Sequence, residues 1–529
     1  MMVSLGLEGS PSNSLDSRIN LSSGDEALGF AGYLVATDSG EVQGTGTLDV
    51  TLADAGGLAR IIGAPGLSLP HAQASAAFHF EGGRLVRLAE IEGRSGDVAF
   101  SGVLSFDRAR DAANVTGAVA IDTVSVEGLA ATLFGRTGMI GANGGWPQGP
   151  IGIGDQARAT RGTIAVTANG LAAGGVERLG AMGFDLVWDE TRVRLARFEA
   201  AIGAGTAKLD ISVCCAGPLA EKTVSGRLSL TDAAIEALAP PAVARALAGR
   251  VAGGVQFNGT GASIAEVIGT LAGEGNFTLA DFAVTQLSPA VFETLAGLDD
   301  VLNMDGDALR AIMGLALGQG RFVAPKAAGA FSIAGGVMRL NNFIVDGDGA
   351  RLAGDLNLDT GTLGLGGDFS LTPVGFDAAD SLIVPDTARI FTRLGGTLLA
   401  PETLLDLDEM VAAIQVRANE LEVDRLEALR AADAARQREA AEARNALIEA
   451  QRQRAAEEAA RVAAEEAARQ AEEEAAQQAI EAEALRQQQQ VQPVQPAPSE
   501  TQIFEGPLSL ELPPAVNQRN NFRVNEPLF

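Results

Sequence analysis

With 529 residues and a formal net charge of −28, the chain is too acidic to suit nucleic acid, whose phosphates an anionic surface repels, or to lie flat on an acidic bilayer through a basic patch. Two histidines and two cysteines exclude most metal and triad constellations by counting. Hydrophobic residues reach 47% with only 5% aromatics, and 64 glycines without a collagen period read as turns, so the composition favours one long sheet that grows by adding strands over several compact domains.

Met1 to Ser17 is polar and has neither a basic n-region nor an apolar h-region, and no window reaches the ~20 uninterrupted apolar residues of a membrane span. From about residue 20 to 230, runs of five to seven residues with an apolar side chain at every second position alternate with Gly beside Asp, Asn, Ser or Arg. That spacing predicts strands with one apolar face. Ala76, Phe78 and Phe80 form one set; Val98, Phe100, Leu104 and Phe106 a second; Met182, Phe184, Leu186 and Trp188 a third. His79, Ser101, Ser105, Asp185 and Asp189 lie between them and are expected to face water. Cys214 and Cys215 are adjacent in a strand-like run; neighbours in a strand point to opposite faces, so they read as two small separate side chains and not as a disulfide.

Short helices are predicted next. Asp232 to Ala248 is broken at Pro240-Pro241; Ser263 and Glu266 form a capping box for a helix to Leu271; Ser288-Pro289 starts another, and Asp307 to Leu317 a fourth. From 328 to 371 the alternation returns in pairs: Phe331 and Ile333, Met338 and Leu340, Phe343 and Val345, Leu356 and Leu358, Leu363 and Leu365, Phe369 and Leu371. Gly335-Gly336, Asp346-Gly347, Gly354-Asp355 and Gly366-Gly367 are read as the turns between them, too close for crossover helices, which makes the strands an antiparallel meander.

Between Pro401 and Pro493 there is no Gly or Pro, and Ala, Glu, Arg and Gln dominate. Leu407, Val411, Ile414, Ala418 and Leu421 make its first turns amphipathic; farther on, Glu457 with Arg461 and Glu465 with Arg469 support a solvated single helix, about 105 Å long from 421 to 490 at the usual rise. A coiled coil is the weaker alternative, since heptads of Ala bury little. From Gln487 the Gln/Pro-rich tail is expected to be disordered, with Ile503-Phe504 and Pro527-Leu528-Phe529 as short docking motifs.

No motif carries catalytic chemistry. Gly152 to Ala157 matches GxGxxA formally, but the run leads into a strand at Thr163 to Thr167, where a dinucleotide loop needs a helix. Asn303 to Asp307 and Asp346 to Gly349 look like pieces of calcium loops without the bidentate Glu, and turn formation explains them better. His71 in a turn and His79 on a polar face have no partner at ligand spacing. The chain is expected to be no enzyme and to need no metal or cofactor.

Gly259-Thr-Gly-Ala-Ser-Ile-Ala-Glu-Val-Ile-Gly-Thr-Leu-Ala-Gly-Glu-Gly-Asn-Phe-Thr-Leu279 resembles the segment of AsmA-like proteins in which a Gly-Thr-x-Ser start precedes a short helix and a Gly-rich strand. Phe331-Ser-Ile-Ala-Gly-Gly-Val337, Leu352-Ala-Gly-Asp-Leu-Asn-Leu-Asp-Thr-Gly-Thr-Leu363 and Gly117-Ala-Val-Ala-Ile-Asp-Thr-Val-Ser-Val-Glu-Gly-Leu129 are similar to its other recurring phrases, and together these cover roughly residues 30 to 375. The resemblance implies an envelope protein of didermal bacteria, of the AsmA, TamB and YhdP group, anchored in the inner membrane and projecting a long, incompletely closed β groove into the periplasm for phospholipid passage and outer-membrane assembly. It also implies an anchor that either precedes Met1 or comes from a separate polypeptide.

The expected fold is therefore mainly β: an elongated antiparallel meander forming an open groove or partly closed barrel with short helices, then a long helix and a tail. The expected divisions are 1–230, a groove region; 231–400, a region like the AsmA carboxy-terminal part; 401–490, the helix; and 491–529, the tail. Phe78, Phe80, Phe100, Phe184, Trp188, Phe331, Phe343 and Phe369 represent the surface expected to face phospholipid acyl chains, with plain core packing the alternative for each. The competing function is an assembly factor with a closed, dry sheet, whose helix and tail reach envelope assembly proteins.

Overall fold

A computed structural model describes residues 2–11, 13–64, 67–108, 112–141, 145–152, 158–174, 176–215, 222–376 and 381–486. The tail from 487, with its two docking motifs, and most of the GxGxxA match lie outside these residues. The chain divides into two units, Met1–Glu427 and Ala428–Phe529.

The first unit holds one 22-stranded sheet. It starts with β1 (Met2–Ser10), β2 (Ser14–Ser23), β3 (Glu26–Ala36) and β4 (Val42–Asp54). The four-residue helix α1 (Gly56–Ala59) intervenes before β5 (Pro70–Glu81), β6 (Leu85–Ser95), β7 (Val98–Asp107) and β8 (Ala113–Ser125). Each of these strands pairs antiparallel with the one before. After α2 (Val126–Gly138) comes β9 (Thr160–Ala173), which pairs parallel with β8. A parallel neighbour needs a crossover, and α2 with the chain to residue 159 supplies it.

The antiparallel order then resumes. On its far side β9 takes the short β10 (Val176–Leu179) and then β11 (Met182–Trp188), followed by β12 (Arg192–Ile202), β13 (Gly205–Cys214) and β14 (Lys222–Ala234). The helices α3 (Ile235–Leu238) and α4 (Pro241–Ala246) precede β15 (Leu247–Gly261), and α5 (Ile264–Gly269) precedes β16 (Ala272–Thr285). Next come α6 (Ala290–Ala296), a 3₁₀ turn at Val301–Asn303, and α7 (Gly306–Gly318). The meander ends with β17 (Arg321–Ala334), β18 (Val337–Asp346), β19 (Ala350–Asp359), β20 (Gly364–Pro373), β21 (Ile390–Thr397) and β22 (Ala400–Asp406). Among the described residues β1 and β22 each have one partner only, so the sheet is open and not a closed barrel. The helix α8 (Asp408–Arg486) follows at once. It starts seven residues after Pro401 because residues 400–406 first pair with β21.

Helix starts follow the sequence. Ser263 Oγ accepts from Glu266 N–H at 3.2 Å while Glu266 Oε2 accepts from Ala262 N–H at 2.8 Å, a capping box displaced by one residue on its return arm. Asp305 caps α7 by accepting from Ala308 N–H at 2.7 Å, so the calcium-like Asn303 to Asp307 run is a helix start. Pro240 and Pro241 separate α3 from α4.

One apolar face persists through the ladder. Ile19, Phe30, Leu48 and Ala76 are direct cross-strand neighbours from β2 to β5. Trp188, Val193, Val213 and Val224 continue the face from β11 to β14. Val345, Leu352, Leu371 and Ile390 carry it from β18 to β21. Where a strand must bend, one extra residue enters: the pairing slips between Leu88 and Ile91, Leu195 and Phe198, Leu230 and Ala233, and Leu340 and Phe343. Glu90, Arg197, Asp232 and Asn342 sit at these bulges with positive φ. Bulges increase local twist, and here they restore the apolar side chain to the same face. Polar contacts hold them: Arg197 pairs with Asp185, Arg250 bridges Asp232 and Asp281, and Asp355 Oδ1 accepts from Asn342 N–H at 2.7 Å. Asp185, expected in water, is buried by this arrangement.

The strands are longer than the sequence pattern predicted, up to 15 residues in β15, because many glycines read as turns lie in mid-strand. Gly335-Gly336 and Gly347 do turn the chain, but Gly354 and Gly366-Gly367 are inside β19 and β20. Gly354, like several other mid-strand glycines, is a seat for an aromatic ring on an adjacent strand, whereas Gly366 meets Asn357. A Cβ at Gly226 would lie 2.5 Å from Phe257 Cζ, one at Gly354 2.5 Å from Phe369 Cδ1, and one at Gly329 2.6 Å from Phe277 Cζ. Gly44 under Phe80, Gly93 under Phe100 and Gly275 under Phe331 repeat the arrangement. Each ring lies across its neighbour's backbone, covering a glycine that would otherwise weaken the strand.

Cys214 and Cys215 are joined through their sulfurs, where the sequence reading expected separate thiols. β13 ends at Cys214, so Cys215 is not bound to the alternation that would set the two apart. In the second unit, residues 428–483 of α8 are exposed throughout, including Leu447, Ile448, Val462 and Ile480. No helix among the described residues is long and apolar enough to cross a membrane.

Gly226→Val forces a side chain against the Phe257 ring and is expected to destabilise the sheet by about 1–3 kcal/mol, read from the denaturant midpoint. Gly395→Ala, with no atom within 4 Å, is the control and should stay within roughly 0.5 kcal/mol.

Candidate functional site

The apolar face falls into covered and uncovered fields. Over β16–β21 it is covered by Val291, Phe292 and Leu295 of α6, Leu309, Met313 and Leu317 of α7, and Met410, Val411, Ile414 and Ala418 at the start of α8. Arg310 pins the last two helices together, its Nε donating to Asp408 Oδ1 at 2.9 Å. Over β8–β14 a second core forms from Ala59, Ala64, Leu133 and Ile151 against Ile164, Leu186, Trp188 and Val193, with Ile264 and Val267 of α5.

The second cover is tied down by polar contacts that the apolar pattern alone does not reveal. Trp188 Nε1 donates to Thr160 Oγ1 at 3.0 Å, and Thr160 Oγ1 donates onward to Ile61 O at 2.7 Å, which fixes the α1 loop against β9. Asp54 holds the base of the same loop by accepting from Gly56 N–H at 2.8 Å and Leu69 N–H at 3.1 Å. Trp146 Nε1 donates to Thr360 O at 2.7 Å, joining the crossover to the turn between β19 and β20.

Across β1–β6 no helix among the described residues belongs to a core with the face. Phe30 and Phe78 rings meet at 5.8 Å and Phe78 and Phe80 at 5.5 Å, and around them Ile19, Leu34, Leu48, Val86 and Leu88 are only half-buried. On β1 every residue is exposed. Phe30, Ala76 and Ile91 are buried within this field by their strand neighbours, and among the described residues its apolar side chains belong to neither of the two large cores.

The eight residues singled out in the sequence all lie on strands of the sheet, but in different surroundings. Phe78, Phe80 and Phe100 are half-buried on β5 and β7. Phe331 and Phe369 are half-buried at the margin of the core under α6–α8. Phe184, Trp188 and Phe343 are buried at 7%, 3% and 6% exposure; Phe184 stacks on Phe198 at 6.3 Å, and Phe343 meets Phe277 and Phe282 at 6.1 and 6.3 Å. These three serve the cores. Ile19, Phe30, Leu34 and Leu48 share the face with Phe78, although the sequence alternation alone did not single them out. The covering helix α2 was also missed: its Ser125 cap, accepting from Gly128 N–H at 3.0 Å, and its Leu129 and Leu133 lie in a phrase that reads as strand.

No group of His, Cys, Asp or Glu among the described residues could hold a metal ion. His79 Nε2 faces Glu81 Oε1 at 3.0 Å on the polar side of β5. Compared with known proteins, the chain matches no family model, no curated protein and no solved structure.

Trp188→Phe removes the donor to Thr160 and is expected to destabilise the first unit by about 1–3 kcal/mol in denaturant unfolding. The Asp54 carboxyl is held below its ordinary value of 3.8, chiefly by the Gly56 N–H and then the Leu69 N–H. A carboxylate with a depressed folded-state pKa contributes stability that is complete above the unfolded value and lost as pH falls through the folded one. The Gly56 and Leu69 amides should therefore lose protection from hydrogen exchange, relative to the intrinsic rate, as pH falls below 3.8 and, in Asp54→Ala, should lack it already at neutral pH.

Proposed function

We propose that the chain holds phospholipid by its acyl chains on the apolar face of β1–β6, and acts in the bacterial envelope as a lipid-holding or lipid-conducting protein of the AsmA-like kind, without bond chemistry. The observation that carries this reading is the field of half-buried apolar side chains around Phe78 and Phe80, beside the buried Phe30. A fully exposed large apolar side chain forgoes roughly 1.5–3 kcal/mol of burial, and each half-buried one here forgoes a part of that. Acyl chains satisfy such a surface without a specific partner geometry, which suits a field of tilted and edge-to-face rings. The acidic character of the chain is compatible with a role between membranes and not flat upon one. The periplasm, with attachment to the inner membrane by an anchor outside these residues, is the corresponding location.

The second reading is an assembly factor for outer-membrane proteins. It is favoured by the two fields that the chain does seal with its own helices, and by the exposed residues 428–483, which suit a spacer toward other proteins.

Transfer of fluorescent phospholipid between vesicles separates the two. A Phe78→Gln, Phe80→Gln double variant that remains folded by circular dichroism is expected to transfer severalfold more slowly than the parent chain. Equal transfer by both proteins sinks the lipid reading, and reproducible absence of lipid in mass spectra after mild-detergent extraction favours the assembly role.

A further inference from the structure

We propose that Cys214 and Cys215 form a thiol–disulfide exchange site for a small anionic thiol, in which Cys214 Sγ leaves as the thiolate and Arg192 attracts both negative charges. The inference concerns the polar side of the sheet and is independent of what the apolar face holds.

The pair is placed by the strand that ends in it. Val213 is buried on the apolar face, so Cys214, the next residue of β13, points to the opposite side. Its cross-strand neighbours there are Arg192 on β12 and Thr223 on β14. Cys214 and Cys215 are both half-buried, and with Arg192, Arg194, Ser212 and Thr223 they line a cavity of about 1060 Å³. Arg192 Nη2 lies 4.0 Å from Cys214 Sγ. A guanidinium at that distance stabilises a thiolate, and the sulfur that makes the more stable thiolate leaves faster. The entering thiol is therefore directed to Cys215 Sγ.

The cavity also selects the charge of that thiol. Arg192 and Arg194 stand two apart on β12 and share its polar side, and guanidinium groups fit carboxylates. The acids nearby are engaged or distant. Asp189 Oδ1 accepts from the Thr191 and Arg192 backbone N–H groups at 2.8 Å each, and Asp210 Oδ1 accepts from Arg194 Nε at 2.7 Å. Glu274 lines the cavity from β16, four strands from Arg192. A thiol carrying a carboxylate thus meets positive charge beside the sulfurs, on a chain whose net charge of −28 repels it elsewhere.

The exchange balances in two steps. The entering thiolate bonds to Cys215 Sγ as the bond between the two cysteine sulfurs breaks, and the electron pair leaves on Cys214 Sγ. A second thiolate then attacks the sulfur that entered first, releasing Cys215 Sγ. The two thiols are oxidised to one disulfide and the cysteine pair is reduced by two electrons. The protons given up by the thiols pass to Cys215 and, while Cys214 stays a thiolate, to solvent. The chain has no third cysteine, so both electrons come from the entering thiols.

Mass spectrometry of the full chain, purified in air and alkylated without denaturant before and after exposure to thiol, tests this. The parent is expected to take no label before exposure and a label on both cysteines after it. An early acid quench should trap the mixed disulfide on Cys215. The rate with 3-mercaptopropionate divided by that with 2-mercaptoethanol should fall severalfold in Arg192→Gln, a ratio in which any change at the leaving sulfur or in the fold cancels. Arg192→Lys should keep the ratio, and so should Lys208→Gln, which removes the same charge from β13 outside the cavity. Labelling of both cysteines before exposure, reduction only in denaturant, trapping on Cys214, or a ratio unchanged in Arg192→Gln overturns the proposal.

Discussion

Water is kept from one side of this sheet only if strand after strand presents apolar side chains in the same direction, and a strand that slips by a single residue turns its whole apolar set outward. The chain must also twist, and twist is concentrated at bulges that by themselves reverse the alternation. The solution is to pair each slip in register with a slip in sequence. Leu340 and Phe343 stand three apart where every other spacing nearby is two, and both face the same way. The extra residue is charged or polar, takes a positive φ and is held from outside, as Arg197 is by Asp185 and Asn342 by Asp355. Curvature and one-sidedness are thus set by the same few positions.

Glycine and phenylalanine serve the same end together. A ring standing upright on a sheet needs a neighbour of matching height, whereas a ring laid across a glycine needs none. Phe257 over Gly226 and Phe369 over Gly354 keep the apolar face low, and the helices α6 and α7 can lie close above it where they are present. Where they are absent, the same low surface is left around Phe78 and Phe80.

The alternating runs made the sheet legible in the sequence, and the capping box at Ser263, the proline pair at 240–241 and the helix after residue 407 were equally plain. Strand length was not, because a glycine in a turn and a glycine beneath a ring are the same letter; only the identity of the cross-strand partner distinguishes Gly335 from Gly354. The parallel pairing of β8 and β9 was also hidden, since α2 grows out of a strand-like phrase with no proline or glycine pair to mark the change. Of the candidate surface, the residues were recognisable but their covers were not. Trp188 reads like Phe78 until Thr160 and Ile61 are seen to seal it.

That parallel junction divides the way the sheet can assemble. On either side of it the strands pair antiparallel with a strand near them in the chain, most through short connections. Between β8 and β9 the chain runs through α2, which packs back on both strands; the connection from β16 to β17 through α6 and α7 is as long, yet those strands pair antiparallel. Among the described pairings that seam is the one place where neighbouring strands run the same way, so the molecule is two antiparallel ribbons joined in parallel.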